Sequence, residues 1–140
     1  MNRIIKQQKA YGKKKHFTQM NDLEKDFLMR QFRKVLKADW AFTDYSLGKF
    51  NLRDIDPNHF MTIFDADSEV IEYHKKDGSN RILIRGKRIH KDAQICAVFA
   101  PEQKIIVTLY LNYHQNQHDN LKIEFYDPQL DVLKLYKEGR

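Results

Sequence analysis

The spacing of hydrophobic positions changes character midway along the chain. Leu23, Phe27, Leu28, Phe32, Val35 and Leu36 recur at helical intervals, and Lys25, Arg30, Arg33, Lys34 and Lys37 populate the other face. This pattern predicts an amphipathic helix over 21–38. Asn21 is suited to cap it, with Glu24 three residues on as the reciprocal partner of a capping box. Trp40 and Phe42 follow and are expected to pack this helix onto the rest. A shorter helix is predicted to begin at Asp56-Pro57, since Asp accepts the free N–H groups of a first turn and Pro is tolerated at its first position. Phe60, Ile63 and Phe64 then face inward, and 65–68 ends the helix.

From Glu69 the period falls to about two. Strands are predicted at 69–74, 81–85, 95–99 and 104–111, with turns at 76–79 and 100–103. Residues 122–126 are a candidate fifth strand, and 131–136 a last helical turn or edge strand. Helices followed by an antiparallel meander define an α+β class, with N-terminal helices packed on a sheet of four to five antiparallel strands. Residues 1–18 lack apolar patterning and read as a flexible basic tail, which leaves 19–140 as one α+β domain.

Charge sharpens this division. The 140 residues carry a formal net charge of +6. Of the 25 basic side chains, Arg3, Lys6, Lys9, Lys13, Lys14 and Lys15 lie in the first fifteen residues, ahead of the first acid, Asp22. That leaves 19 bases facing 19 acids, so the excess resides in the arm. Such an arm serves solubility or captures a polyanion. Tyr11, His16 and Phe17 alternate with lysines, which favours nucleic acid, because rings stack on bases while ammonium groups meet phosphates. No apolar run approaches a membrane span, and no apolar stretch follows the basic N-terminus, so neither a membrane partner nor a signal peptide is expected and the cytoplasm is the expected compartment. The single cysteine, Cys96, sits in an apolar run and reads as a buried thiol.

One dense cationic cluster lies inside the predicted fold. No acid occurs from Gly78 to Lys91, and Arg81 and Arg85 share a strand face with Leu83, followed by Lys87, Arg88, His90 and Lys91. In the strand at 104–111, Ile105, Val107, Leu109 and Leu111 share one face, and Ile106, Thr108, Tyr110 and Asn112 the other. Placed in one sheet, Arg81, Arg85, Thr108 and Tyr110 make a face suited to phosphate, because guanidinium pairs with phosphate oxygens and hydroxyls add neutral donors. The plainer reading is an ordinary solvated strand surface. No metal site is expected: His114 and His118 have the spacing of half a zinc site, but no CxxC accompanies them. No cofactor motif is present.

The order Arg53-Asp54-Ile55-Asp56-Pro57-Asn58-His59-Phe60, Glu69–Tyr73, Arg81–Arg85, Ile95–Phe99, Pro101 and Ile105–Tyr110 resembles the DUF4258-like branch of the Barnase–EndoU–colicin–RelE group over residues 45–112. The resemblance implies two helices on a curved antiparallel sheet and a metal-independent ribonuclease of toxin systems, phages or mobile elements. It implies a base that activates a ribose 2′-hydroxyl and basic side chains that stabilise the pentacovalent phosphate. Carried over, it implies Arg81 or Arg85 as the strand cation, Thr108 and Tyr110 as the last-strand pair, and Lys49 or Arg53 as the basic position before the second helix. Tyr45 stands where the group carries a histidine on the preceding helix. Tyrosine is a poor base at neutral pH unless its pKa is strongly shifted, and His16 or His90 are the substitutes to consider. The segment 87–94 is longer than a tight hairpin and departs from the group's pattern.

The N-terminal stretch Ala10-Tyr11-Gly12-Lys13 and Met20–Lys25 is also similar to the basic start of a phage anti-CRISPR protein. Two functions are therefore expected to compete. One is a ribonuclease using Tyr45, Arg81, Arg85, Thr108 and Tyr110. The other is a non-catalytic binder or inhibitor of a nucleic-acid enzyme such as a CRISPR-Cas effector. In both, the partner is nucleic acid, RNA favoured, or a ribonucleoprotein, met by Lys9, Lys13, Lys14, Lys15, Lys49, Arg53, Lys87, Arg88 and Lys91.

Overall fold

The computed structural model describes residues 13–53, 55–90, 93–113, 116, 118 and 125–138. Among these, strand β1 (Lys14–His16) is followed by helix α1 (Asp22–Lys34), β2 (Ala41–Phe42), α2 (Asp44–Leu52) and α3 (Pro57–Phe60). Strands β3 (Glu69–Lys76), β4 (Ser79–His90), β5 (Ala93–Ala100) and β6 (Ile105–Tyr113) come next, and α4 (Val132–Lys137) closes the described chain. The class is α+β. The sheet has six strands in the order β1-β3-β4-β5-β6-β2, more than the four to five expected, and β2 pairs parallel to β6.

The expected capping chemistry sets the helix starts. The Asn21 side chain accepts from Glu24 N at 2.8 Å while Glu24 Oε1 accepts from Asn21 N at 3.1 Å. Asp56 accepts from Asn58 N at 2.8 Å, with Pro57 at the first helical position. Helix α2 was not legible as apolar periodicity, because its buried positions include Ser46 and Lys49 rather than an apolar stripe. Its start is fixed by a reciprocal cap instead, Thr43 Oγ1 accepting from Ser46 N and Ser46 Oγ from Thr43 N.

The β3–β4 hairpin turns on Asp77-Gly78, both at positive φ, which suits a two-residue connection. Strand β4 runs five residues past the predicted end, and shifts of register against β5 between Arg85 and His90 accommodate the extra length. Gly86 is required within it. A Cβ there would come 3.2 Å from the Ile63 backbone, in the single-turn segment 61–64 that packs on this strand. Of the expected fifth strand, 122–124 lie outside the described residues, while 132–137 is helical.

One face of the sheet is the core. Ile82, Ile84, Ile95, Ala97, Phe99, Ile106 and Leu109 pack with Leu28, Phe32, Trp40, Phe60 and Ile63. Phe32 stacks on Phe64 at 5.7 Å and tilts against Phe99 at 4.7 Å. Each such side chain contributes about 1.5–3 kcal/mol through burial. A bulge alters the predicted alternation in β6: Val98 lies opposite Thr108 but Phe99 opposite Ile106. The step over Val107 lets Ile106 and Leu109 both point inward, so Ile105, Val107, Leu109 and Leu111 do not form one face as expected.

Residues 1–12 of the expected arm lie outside the described residues, but the arm does not extend to residue 18. Lys14–His16 pair antiparallel with Glu72–His74, and Lys75 N donates to Lys13 O. Lys15, expected to meet nucleic acid, is buried. Its Nζ donates to both Glu24 carboxylate oxygens at 2.9 and 3.0 Å and to Leu130 O at 2.8 Å. Glu24 also accepts from Val132 N, so one ion pair ties β1, α1 and the start of α4. Removing one partner strands a buried charge. Lys15→Met is expected to cost about 3–5 kcal/mol, and Lys15→Met with Glu24→Leu distinctly less, measured from urea unfolding midpoints.

Candidate nucleic-acid interface

The face of the sheet opposite the core is polar, and strand register says which side chains meet on it. Residues directly opposite in a ladder share a face. His16 pairs with Glu72, Glu72 with Leu83, Leu83 with Val98, and Val98 with Thr108. One row over, Lys14 pairs with His74 and His74 with Arg81. On the other side, Glu69 pairs with Arg85, Arg85 with Cys96, and Cys96 with Tyr110. The expected shared face of Arg81, Arg85, Thr108 and Tyr110 is therefore present.

These four side chains nevertheless do not converge. Arg85 and Tyr110 are separated by a whole strand, about 10 Å of backbone. Arg85 is buried and committed: Nη2 pairs with Glu69 Oε1 at 2.9 Å, and Nη1 donates to His118 Nδ1 at 3.1 Å. Burial, then the Arg85 charge, holds His118 below its ordinary pKa, consistent with a neutral acceptor. Tyr110 is half-buried beside Cys96. Burial raises its phenol well above the usual range, and burial pushes the Cys96 thiol up to about 12, so neither is an acid–base group at neutral pH.

What does converge is a shallow groove of about 150 Å³ lined by Glu72, His74, Lys76, Arg81, Leu83, Val98, Val107 and Thr108. The Nε of Arg81 is buried and has no hydrogen-bond partner among the described residues. Glu72 is held from the far side: Tyr126 donates to it at 2.7 Å, and Lys14 Nζ lies 3.7 Å from it and 5.2 Å from the Tyr126 ring centre. His74 is held neutral. Burial first, then the charges of Lys14, Lys76 and Arg81, lowers its pKa to about 4, with Asp77 opposing.

Glu72 and His74 were missed as site residues. Their signal was the polar alternation of Glu72 and His74 along the predicted strand at 69–74, ahead of Arg81 in the next strand.

At the β6 rim of the same face, Tyr45, Lys49 and Arg53 follow one another at four-residue spacing along α2 and its C-cap. The Tyr45 phenol lies below its ordinary pKa. The Lys49 hydrogen bond is the main cause, followed by the charges of Lys49 and Arg53 and contact with the Thr108 hydroxyl. Lys49 is buried, its Nζ 4.2 Å from the Tyr45 ring centre. Arg53 donates to Leu109 O at 3.4 Å and lies 5.9 Å from the Tyr110 ring.

The remaining expected contacts are dispersed. Lys87 pairs with Asp65 at 2.9 Å, Lys13 and Arg88 are exposed, and Lys9 and Lys91 lie outside the described residues. His16 is buried with Nδ1 accepting from Thr18 N, which removes it as a base; the His90 side chain and His114 lie outside the described residues. No group of three or more metal-ligating side chains lies together, and no helix is long and apolar enough to cross a membrane, among the described residues. Compared with protein-family models, curated proteins and solved structures, the chain matches none.

The His74 environment has a measurable consequence. The unfolded imidazole takes a proton near pH 6.5, whereas the folded one resists to about 4. Its contribution to stability is present above pH 6.5 and is lost as pH falls toward 4. Wild type should lose more stability between pH 7.5 and 5 than His74→Gln, compared by urea midpoints at both pH values.

Proposed function

We propose that the outer sheet face grips a phosphodiester backbone and that the chain is a nucleic-acid-directed protein, of a kind found in phages or mobile elements, that cleaves RNA without a metal. The observation that carries this reading is the single groove holding Glu72, His74, Arg81 and Thr108. Burial and three nearby cations keep a histidine neutral there, and the buried Arg81 Nε lacks an acceptor among the described residues. A phosphate oxygen would supply that acceptor and offset the cations that depress His74, so substrate binding would itself favour the imidazolium.

Side chains two residues apart on one strand face lie about 7 Å from each other. That spacing lets Glu72 address the ribose 2′-hydroxyl on one side of a phosphate and His74 the leaving 5′-oxygen on the other. In this assignment Glu72 takes the 2′-hydroxyl proton as the oxygen attacks phosphorus, Arg81 and Lys14 stabilise the pentacovalent phosphate, and His74 returns a proton to the departing oxygen. The likeness to the RelE and barnase group agrees in chemistry, with the acid–base pair moved onto β3.

Cleavage of RNA should proceed in EDTA. Arg81→Ala should reduce it by about a hundredfold or more while leaving the unfolding midpoint within about 0.5 kcal/mol of wild type. Arg85→Ala should show the opposite pattern, about 2 kcal/mol of lost stability with a smaller loss of rate. Intact RNA after prolonged incubation at high protein concentration would rule out the enzyme.

The strand that separates Arg85 from Tyr110, and the engagement of Arg85 with Glu69 and His118, favour a second reading, a non-catalytic binder that blocks a nucleic-acid enzyme such as a CRISPR-Cas effector. It is distinguished by binding that persists, salt-sensitive, with no cleavage.

A further inference from the structure

We propose that the solvent-facing side of the Tyr45 ring is a stacking platform for one base of a single-stranded RNA whose phosphate lies in the adjoining groove. The inference rests on the reading of the groove as a phosphate site and adds the strandedness of the substrate. Tyr45 stands in the first turn of α2 and is 62% exposed. Lys49, one turn on, is buried with its ammonium 4.2 Å from the ring centre, so a cation covers one side of the ring and the other meets water. That contact fixes the ring in place, and a fixed aromatic side chain offers a base a flat apolar partner with little further ordering cost.

The platform is continuous with the groove. Thr108 lies near enough to the Tyr45 phenol to help lower its pKa, and it also lines the groove with Glu72, His74 and Arg81. Arg53, an exposed residue one turn beyond Lys49 whose guanidinium donates to Leu109 O, is placed to meet a neighbouring phosphate. A base in a duplex already has neighbours on both faces. Only a base free of its stack can lie on Tyr45 while its own phosphate enters the groove, so this surface selects unpaired strands.

The test uses a short RNA carrying one 2-aminopurine, alone and annealed to its complement, at low salt in EDTA with the 2′-hydroxyl beside the probe methylated to block cleavage. Wild type should bind the single strand with quenching of the probe and bind the duplex more weakly. Tyr45→Ala should lose the quenching and about tenfold in single-strand affinity, with duplex affinity unchanged. Tyr45→Phe, which keeps the ring, should restore both. Equal unfolding midpoints would exclude a folding defect in this exposed position. If Arg81→Ala weakens binding but Tyr45→Ala binds and quenches like wild type, the platform is wrong while the groove stands. If neither variant changes binding, the groove reading fails and takes the platform with it.

Discussion

Burial of one face of the six-stranded sheet is the constraint on which everything else depends. Ile82, Ile84, Phe99, Ile106 and Leu109 must all point to the aromatic cluster around Phe32, and alternation then sends Arg81, Leu83, Arg85, Thr108 and Tyr110 to the other side. The bulge at Val107 corrects the phase of β6 so that the core is not broken. The same correction brings Thr108 and Val107 together onto the outer face, where both line the groove. Packing on one side thus sets the geometry of the polar surface on the other.

On that surface, burial and like charge act together. Burial does most to keep the His74 imidazole neutral, and the charges of Lys14, Lys76 and Arg81 around it add to the effect. Arg85, two rows away, has both terminal nitrogens engaged, Nη2 by a carboxylate and Nη1 by an imidazole. The two arginines are equivalent in sequence spacing and differ in what their neighbours have spent on them. That difference is why the proposed phosphate contact falls to Arg81, not Arg85.

Much of the fold was legible because local rules agreed with the tertiary outcome. The Asn21 and Asp56 caps, the Asp77-Gly78 turn and the four strands from Glu69 to Tyr113 appear where the sequence places them, with β4 longer than expected and β6 shifted in phase by its bulge. The shared face of Arg81 and Thr108 was also readable from alternation alone. Helix α2 escaped because it buries Ser46 and the stem of Lys49, leaving Leu47 and Leu52 exposed, so no apolar stripe marks it. The assignment of β1 to a free arm failed because its charge was read as solvated, whereas Glu24 neutralises Lys15 in the interior. Glu72 and His74 were overlooked for a related reason: a polar strand face reads as surface until its partners across the sheet are known.

The contact between Lys15 and the carbonyl of Leu130 joins positions 115 residues apart in sequence. A chain emerging from the ribosome presents Lys15 and Glu24 well before Leu130 and Val132, which complete their hydrogen bonding. The edge strand β1 and the closing helix must therefore dock together after synthesis of the sheet they flank. Such long loop closures are slow relative to local helix formation. Final consolidation is thus a late event, and until it occurs the inner side of β3 is unprotected along the edge that β1 will cover.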